Sequence, residues 1–193
     1  MATRSETAAM TRRSLLEAAG ALLDAGGPEA VTLREVGART GVSRSAPYRH
    51  FANKETLFTV LATNALSELG DELERLAGGD DSPAESLHAA LLSLLAIGRT
   101  RPHLYRLMFT TPTGDPTAAG AAEHAAERTH DLFLEMVGRI VGPKRARHYG
   151  ALLLACAHGM AGLESNGHLV WEKWQTSAEQ LIDSTIALLP SEK

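Results

Sequence analysis

Three polar heads follow one another in the stretch GVSRSAPYRHFANKETL, residues 41–57: Tyr48, Arg49 and His50. Successive side chains on a helix point about 100° apart, so the three cannot share one task. Tyr48 offers a hydroxyl to a phosphate and a ring to a thymine methyl. Arg49 pairs bidentately with guanine or with a phosphate, and His50 donates to a backbone oxygen. Lys54 follows at the start of the next helical segment, where free backbone amides also attract phosphate. Arg4, Arg12 and Arg13 form a basic entry upstream that can follow a nucleic-acid backbone.

These groups need elements to position them. Thr32-Leu33-Arg34-Glu35 reads as a capping box that opens a short helix ending near Thr40-Gly41. The turn Gly41-Val42-Ser43 leads into a second short helix, expected to start at Ser43. Two short helices joined by a glycine-containing turn form a helix-turn-helix pattern. Leu33, Val36 and Val42 bury the junction, with Leu22 and Phe51 behind it. The early residues of the second helix, Arg44, Ser45 and Ala46, then point toward base edges. Pro47 falls at the end of the first turn, where proline costs far less than in a helix interior. Asn53 caps a longer helix.

Every other extended segment also has helical period, and no strand alternation or internal repeat is visible. The expected fold class is all-α with about nine helices: a head over residues 1–53, a linking helix over about 54–76, and a body over 77–193. Punctuation falls at Gly26-Gly27-Pro28, at AGGDDSP (77–83) with a second capping box from Ser82 to Glu85, at Arg101-Pro102, at TTPTGDPT (110–117) and at Gly142-Pro143. The last two helices are expected over about 144–165 and 172–189.

The net charge of −4 argues weakly against nucleic acid, but its distribution does not. Residues 1–60 carry eight Lys/Arg against six Asp/Glu, and residues 61–193 carry eleven against seventeen. A slightly basic head on an acidic body suits a protein that touches a polyanion with one end. One cysteine excludes an internal disulfide. The longest charge-free apolar run, Tyr149–Leu163, is too short to span a bilayer. The N-terminus MATRSETAAMTRRS lacks the apolar core of a signal peptide, so a cytoplasmic protein is expected.

The arrangement VTLREVGARTGVSRSAPYRHFANKETLF resembles the DNA-binding head of the tetracycline-repressor (TetR) family over about residues 12–60. The glycine turn, the tyrosine, the histidine-phenylalanine pair and the following Lys-Glu fall where that family has them. PHLYRLMF (102–109) and AHGMAGLESNGHL (157–169) resemble the C-terminal domain of one subgroup, whose hallmark is a Trp-His-Gly-type segment. His158 and Gly159 are present, while Leu154 and Cys156 occupy the neighbourhood of the tryptophan. The resemblance implies a homodimeric transcription regulator on a pseudo-palindromic operator, with a small-molecule effector in the body. Within that reading the expected phosphate contacts are Thr32, Tyr48, His50 and Lys54, and Ser43 is a further DNA-binding candidate. Base readout falls to Arg44, Ser45, Ala46 and Arg49 after the turn residue Ser43, although Arg44 and Arg49 fit phosphate contacts as well.

The candidate effector pocket is Tyr105, Met108, Phe109, His130, Phe133, Met136, Cys156, His158 and Met160, each apolar member of which is also an ordinary core residue. A helix apolar all round must be buried on several sides. The resemblance therefore implies an interface of the last two helices with their copies, through Tyr149, Leu152, Leu153, Leu181, Ile182, Thr185 and Leu188. No metal ligand set is expected: His124 and His130 are six residues apart, off a shared helix face. No cofactor fingerprint, phosphate loop or nucleophile elbow occurs, so an enzyme is not expected. Two other classes remain open: a helical interaction adaptor, and a redox-sensing regulator that uses Cys156.

Overall fold

The computed structural model describes residues 3–190; residues 1, 2 and 191–193, at the ends of the expected domains, lie outside the described residues. It holds ten α-helices and one 3₁₀ turn in this order: α1 Arg4–Gly26, the 3₁₀ turn Pro28–Ala30, α2 Leu33–Thr40, α3 Ala46–His50, α4 Lys54–Ala77, α5 Pro83–Thr100, α6 Pro102–Met108, α7 Pro116–Val141, α8 Ala146–Ser165, α9 Trp171–Trp174 and α10 Ala178–Ala187. Among the described residues there is no strand.

The boundaries follow from local chemistry. Thr3 and Glu6 form a reciprocal capping box at the start of α1, and Ser82 and Glu85 form another at α5. At α2 only half of the expected box is present. Thr32 Oγ1 accepts from the Glu35 amide at 3.1 Å, and no return bond from the Glu35 carboxylate is made. Gly41 ends α2 at φ +68°, a left-handed conformation that glycine adopts without a Cβ penalty. The expected terminal helix is split in two. Gln175 turns left-handed at φ +54°, and Ser177 with Gln180 forms a fresh capping box for α10.

The chain divides into two compact units. The first contains the residues up to Ala65 together with His103–His124; the second contains Leu66–Pro102 and the residues from Ala125 onward. In the first, Leu15, Ala19, Leu23, Val31, Val36, Phe51 and Leu57 are fully or almost fully buried. The segment around α6 belongs to this core. The His103 ring packs on Gly27, where a Cβ would lie 2.9 Å from it. Thr59 Oγ1 donates to the Thr113 carbonyl at 2.6 Å, and the Asp115 amide donates to Thr56 Oγ1 at 3.4 Å. In the second unit α5 packs on both α8 and α10. Leu87, Leu91, Leu95, Met136, Val137, Leu153 and Ile182 form its centre.

Candidate nucleic-acid interface

α3 is shorter than the sequence suggests. It begins at Ala46 rather than Ser43, and Ser43 to Ala46 is a turn closed by the Ala46 amide on the Ser43 carbonyl at 2.9 Å. Pro47 therefore occupies one of the first two helical positions, where its missing N–H has no intrahelical partner to lose. Ala46 is 3% exposed and Pro47 is also buried. This corrects the reading of Ala46 as a base-facing residue: the side chain points into the head. Ser43, Arg44 and Ser45 are exposed on the turn, and Tyr48 and Arg49 are exposed on α3. His50 is half-buried at the end of α3. Thr32 is exposed at the start of α2, with its hydroxyl oxygen already accepting from Glu35. Lys54, at the start of α4, is half-buried, with Nζ 5.3 Å from the centroid of the Phe58 ring. Asn53 Oδ1 accepts from the Thr56 amide at 2.8 Å and so fixes the first turn of α4.

The charges of the two units are deployed differently. On the head, Arg34, Arg39, Arg44 and Arg49 are all exposed, and none makes an ion pair among the described residues. Arg13 there is paired with Glu17 at 2.9 Å in solvent. In the second unit Arg75 is held by Glu72, Arg99 by Glu164 and Glu179, and Arg128 by Asp71 and Glu74. Arginines held by carboxylates have a structural partner. Exposed ones without a partner around a protruding helix are available to an external anion.

The expected effector residues fall in both units. Tyr105, Met108 and Phe109 belong to the first unit, with the Tyr105 and Phe109 rings 5.0 Å apart. Burial pushes the Tyr105 phenol up to about 12, so it stays neutral. Phe133, Met136 and Met160 are buried in the second unit, and Cys156 is half-buried there. His130 and His158 are exposed on α7 and α8.

The expected interface residues separate as well. Leu153 and Ile182 are each 1% exposed and belong to the core of the second unit, which corrects their assignment to an outer face. Leu152 and Leu188 are exposed at 47% and 83%, while Tyr149, Leu181 and Thr185 are half-buried. No helix among the described residues is long and apolar enough to cross a membrane. No group of three or more His, Cys, Asp or Glu side chains among them could hold a metal ion.

Residues 15–61 match the family described as bacterial regulatory proteins, tetR family, and residues 87–189 match the tetracyclin repressor-like C-terminal domain. The chain belongs to the TetR family. Its two-helix motif lies inside the match to the bacterial regulatory proteins of that family. A nucleoid occlusion factor, SlmA, from Idiomarina loihiensis is 29% identical over 122 residues, 63% of this chain and 60% of that protein. The chain thus spans about 60% of the length of the first of the curated relatives it matches. A transcriptional regulator from Rhodococcus sp. Rha1 has the same fold with a TM-score of 0.72 at 27% identity, covering 92% of this chain and 95% of that one. A second Rhodococcus sp. RHA1 structure, of unknown function, has a TM-score of 0.77 at 24% identity and covers 92% of each chain.

Within this TetR-family head, sequence reasoning passed over Arg34 and Arg39. They lie on α2 beside Glu35, so their local charge balance looks neutral.

Proposed function

We propose that the protein is a homodimeric, effector-released repressor acting in the cytoplasm on a pseudo-palindromic operator. The observation that carries this reading is the set of exposed, carboxylate-free arginines around α3. Two copies of α3 enter successive major grooves, with half-sites about one helical turn or a multiple of it apart. Thr32, Tyr48, His50 and Lys54 set the register on phosphates, with Arg12 and Arg13 along the backbone. Arg44, Ser45 and Arg49 meet base edges.

Dimer formation uses the outward side of α8 and α10. Leu152 and Leu163 are exposed apolar residues there, and open space lies beside Gly159 and Gly162, which lets a neighbouring helix approach closely. Leu188 extends this patch from the end of α10, and Trp171 and Trp174 of α9 are exposed at 56% and 55%. Large apolar side chains exposed on these helices suit an interaction face. The effector is a small apolar molecule received by the C-terminal domain among Phe133, Met136, Cys156 and Met160. It releases DNA by binding more tightly, by several kcal/mol, to a state whose head spacing mismatches the operator.

The test is selection of genomic fragments by the purified protein, followed by binding to the winning fragment as salt is raised. The expected result is a two-fold-symmetric motif with a steep negative slope of log affinity against log salt. No enrichment over random DNA, repeated after unfolding and refolding to strip any copurified effector, would refute the reading.

A further inference from the structure

The first unit contains a cleft of about 320 Å³ bounded by α1, the end of α3, α4 and the start of α7. That volume is at the lower end of the roughly 300–1,000 Å³ typical of small-molecule sites. Its floor is apolar: Phe51 is 1% exposed and Ala118 9%, with half-buried Val60 beside them and Ala121 at the exposed edge. Its rim is polar, with Arg12, His50, Asn64, Thr117 and Asp115.

The two charged groups of the rim are not equivalent. Asp115 Oδ1 accepts from the Thr117 amide at 3.1 Å and the Ala118 amide at 3.0 Å, so the carboxylate is tied to the start of α7, whose amides offset part of its charge. Arg12 has no ion pair among the described residues. Its guanidinium lies 5.3 Å from the centroid of the Phe51 ring, and that stacking holds it at the cleft wall. The Asn64 amide makes no hydrogen bond among the described residues and adds an open donor. The cleft therefore presents a preoriented cation fork and uncommitted donors above an apolar floor, the complement of a carboxylate on a compact apolar body.

We propose that this cleft binds a small aromatic or branched aliphatic carboxylate, and that its occupancy opposes DNA binding. Arg12 and His50 are shared between the cleft and the proposed phosphate contacts. A carboxylate on Arg12 removes a cation from the DNA-facing surface, and by linkage DNA weakens the carboxylate equally. The opposition to DNA rests on the DNA reading of the head; the site itself does not. The cleft is separate from the effector residues proposed in the C-terminal domain.

Benzoate is the probe, with benzamide as its uncharged counterpart. Calorimetric titration of the full chain to about 20 mM benzoate should give saturable binding, about tenfold weaker for benzamide and for Arg12→Gln, since each removes one charge from a charge-assisted pair. Ala121→Phe fills the cleft from the exposed side of α7 and should abolish the benzoate signal with an unchanged circular dichroism spectrum. Benzoate should weaken binding to the selected DNA fragment in the unmodified protein and leave Ala121→Phe unaffected. Absent saturation, equal affinity in both variants, or equal binding of benzamide would overturn the site. Saturable binding with unchanged DNA affinity would overturn the antagonism. If no DNA fragment is bound at all, the reading of the head fails, and the calorimetric comparison still decides the cleft.

Discussion

The Pro47 ring of α3 occupies the space that a side chain on Gly37 of α2 would take: a Cβ at Gly37 would lie 2.8 Å from Pro47 Cγ and 3.4 Å from Cδ. The proline inside α3 is thus a packing element. It needs no N–H at its position, and its rigid ring seats α3 against a glycine notch on α2. Gly37→Ala should strain this contact by about 1–3 kcal/mol. The helix-propensity gain of up to about 1 kcal/mol works in the opposite direction, so the net loss is smaller. The coupling decides the matter. Pro47→Ala alone opens a gap, while the double variant relieves the clash, so a double-mutant cycle by urea denaturation should show about 0.5–3 kcal/mol of favourable coupling. Additive effects would mean that the notch does not set the α2–α3 angle.

Arg49 is exposed on α3 without an ion pair, so replacing it removes no internal contact. Arg49→Ala should leave stability within about 0.5 kcal/mol of the parent. Operator binding should weaken by about 1–3 kcal/mol if the side chain reads a base. Equal losses on operator and random DNA, with a shallower salt slope, would assign it to a phosphate instead.

The head was legible in the sequence because its signals are local. Thr32, Gly41 and Asn53 each act on residues within three positions, and short-range capping needs no knowledge of the rest of the chain. The inclusion of His103–His124 in the head's unit was not legible. It depends on His103 meeting Gly27 and Thr113 meeting Thr59, contacts over more than fifty residues that leave no periodic trace. The sides of α8 were ambiguous for another reason. An unbroken apolar run gives no polar stripe to mark the outside, so Leu153 could not be told from Leu152. Pro47 sits at the start of α3 and not at the end of its first turn, and this shift turns Ala46 inward. The Ser177–Gln180 capping box that starts α10 interrupts an apolar period that runs on either side of it.

The outward apolar face of α8 and α10 makes a specific demand on assembly. Leu152 is 47% exposed, and Leu181 lies half-buried on α10. Leu152→Glu and Leu181→Glu should each produce monomers in sedimentation velocity, because an unpaired carboxylate in a desolvated interface costs several kcal/mol. Leu153→Glu is the contrast. Its side chain is 1% exposed in the core of the unit, so this change should unfold the domain rather than merely separate two copies. A Leu152→Glu protein that stays dimeric would move the interface elsewhere.

Arg99 of α5 ties together the two helices that carry this face. It donates to both Glu164 oxygens of α8, at 2.8 and 2.7 Å, and to Glu179 of α10 at 2.5 Å. Hydrogen bonding from Arg99 is the largest cause that holds the Glu179 carboxyl down to about 2, from an ordinary value of 4.5. A depressed carboxylate stabilises the fold fully above its unfolded value, and that contribution is lost as pH falls from about 4.5 toward about 2. The Arg99 and Glu179 side chains are 37% and 40% exposed, so solvent screening limits the contribution to about 1 kcal/mol or less. Arg99→Gln should therefore lower the urea midpoint at neutral pH and flatten its fall between about pH 5 and pH 2. Glu72 and Glu85 are also depressed and persist in both proteins, so the difference between the two pH profiles isolates this cluster. Parallel profiles, displaced by a constant amount, would show that Arg99 acts by packing its stem and not through its charge.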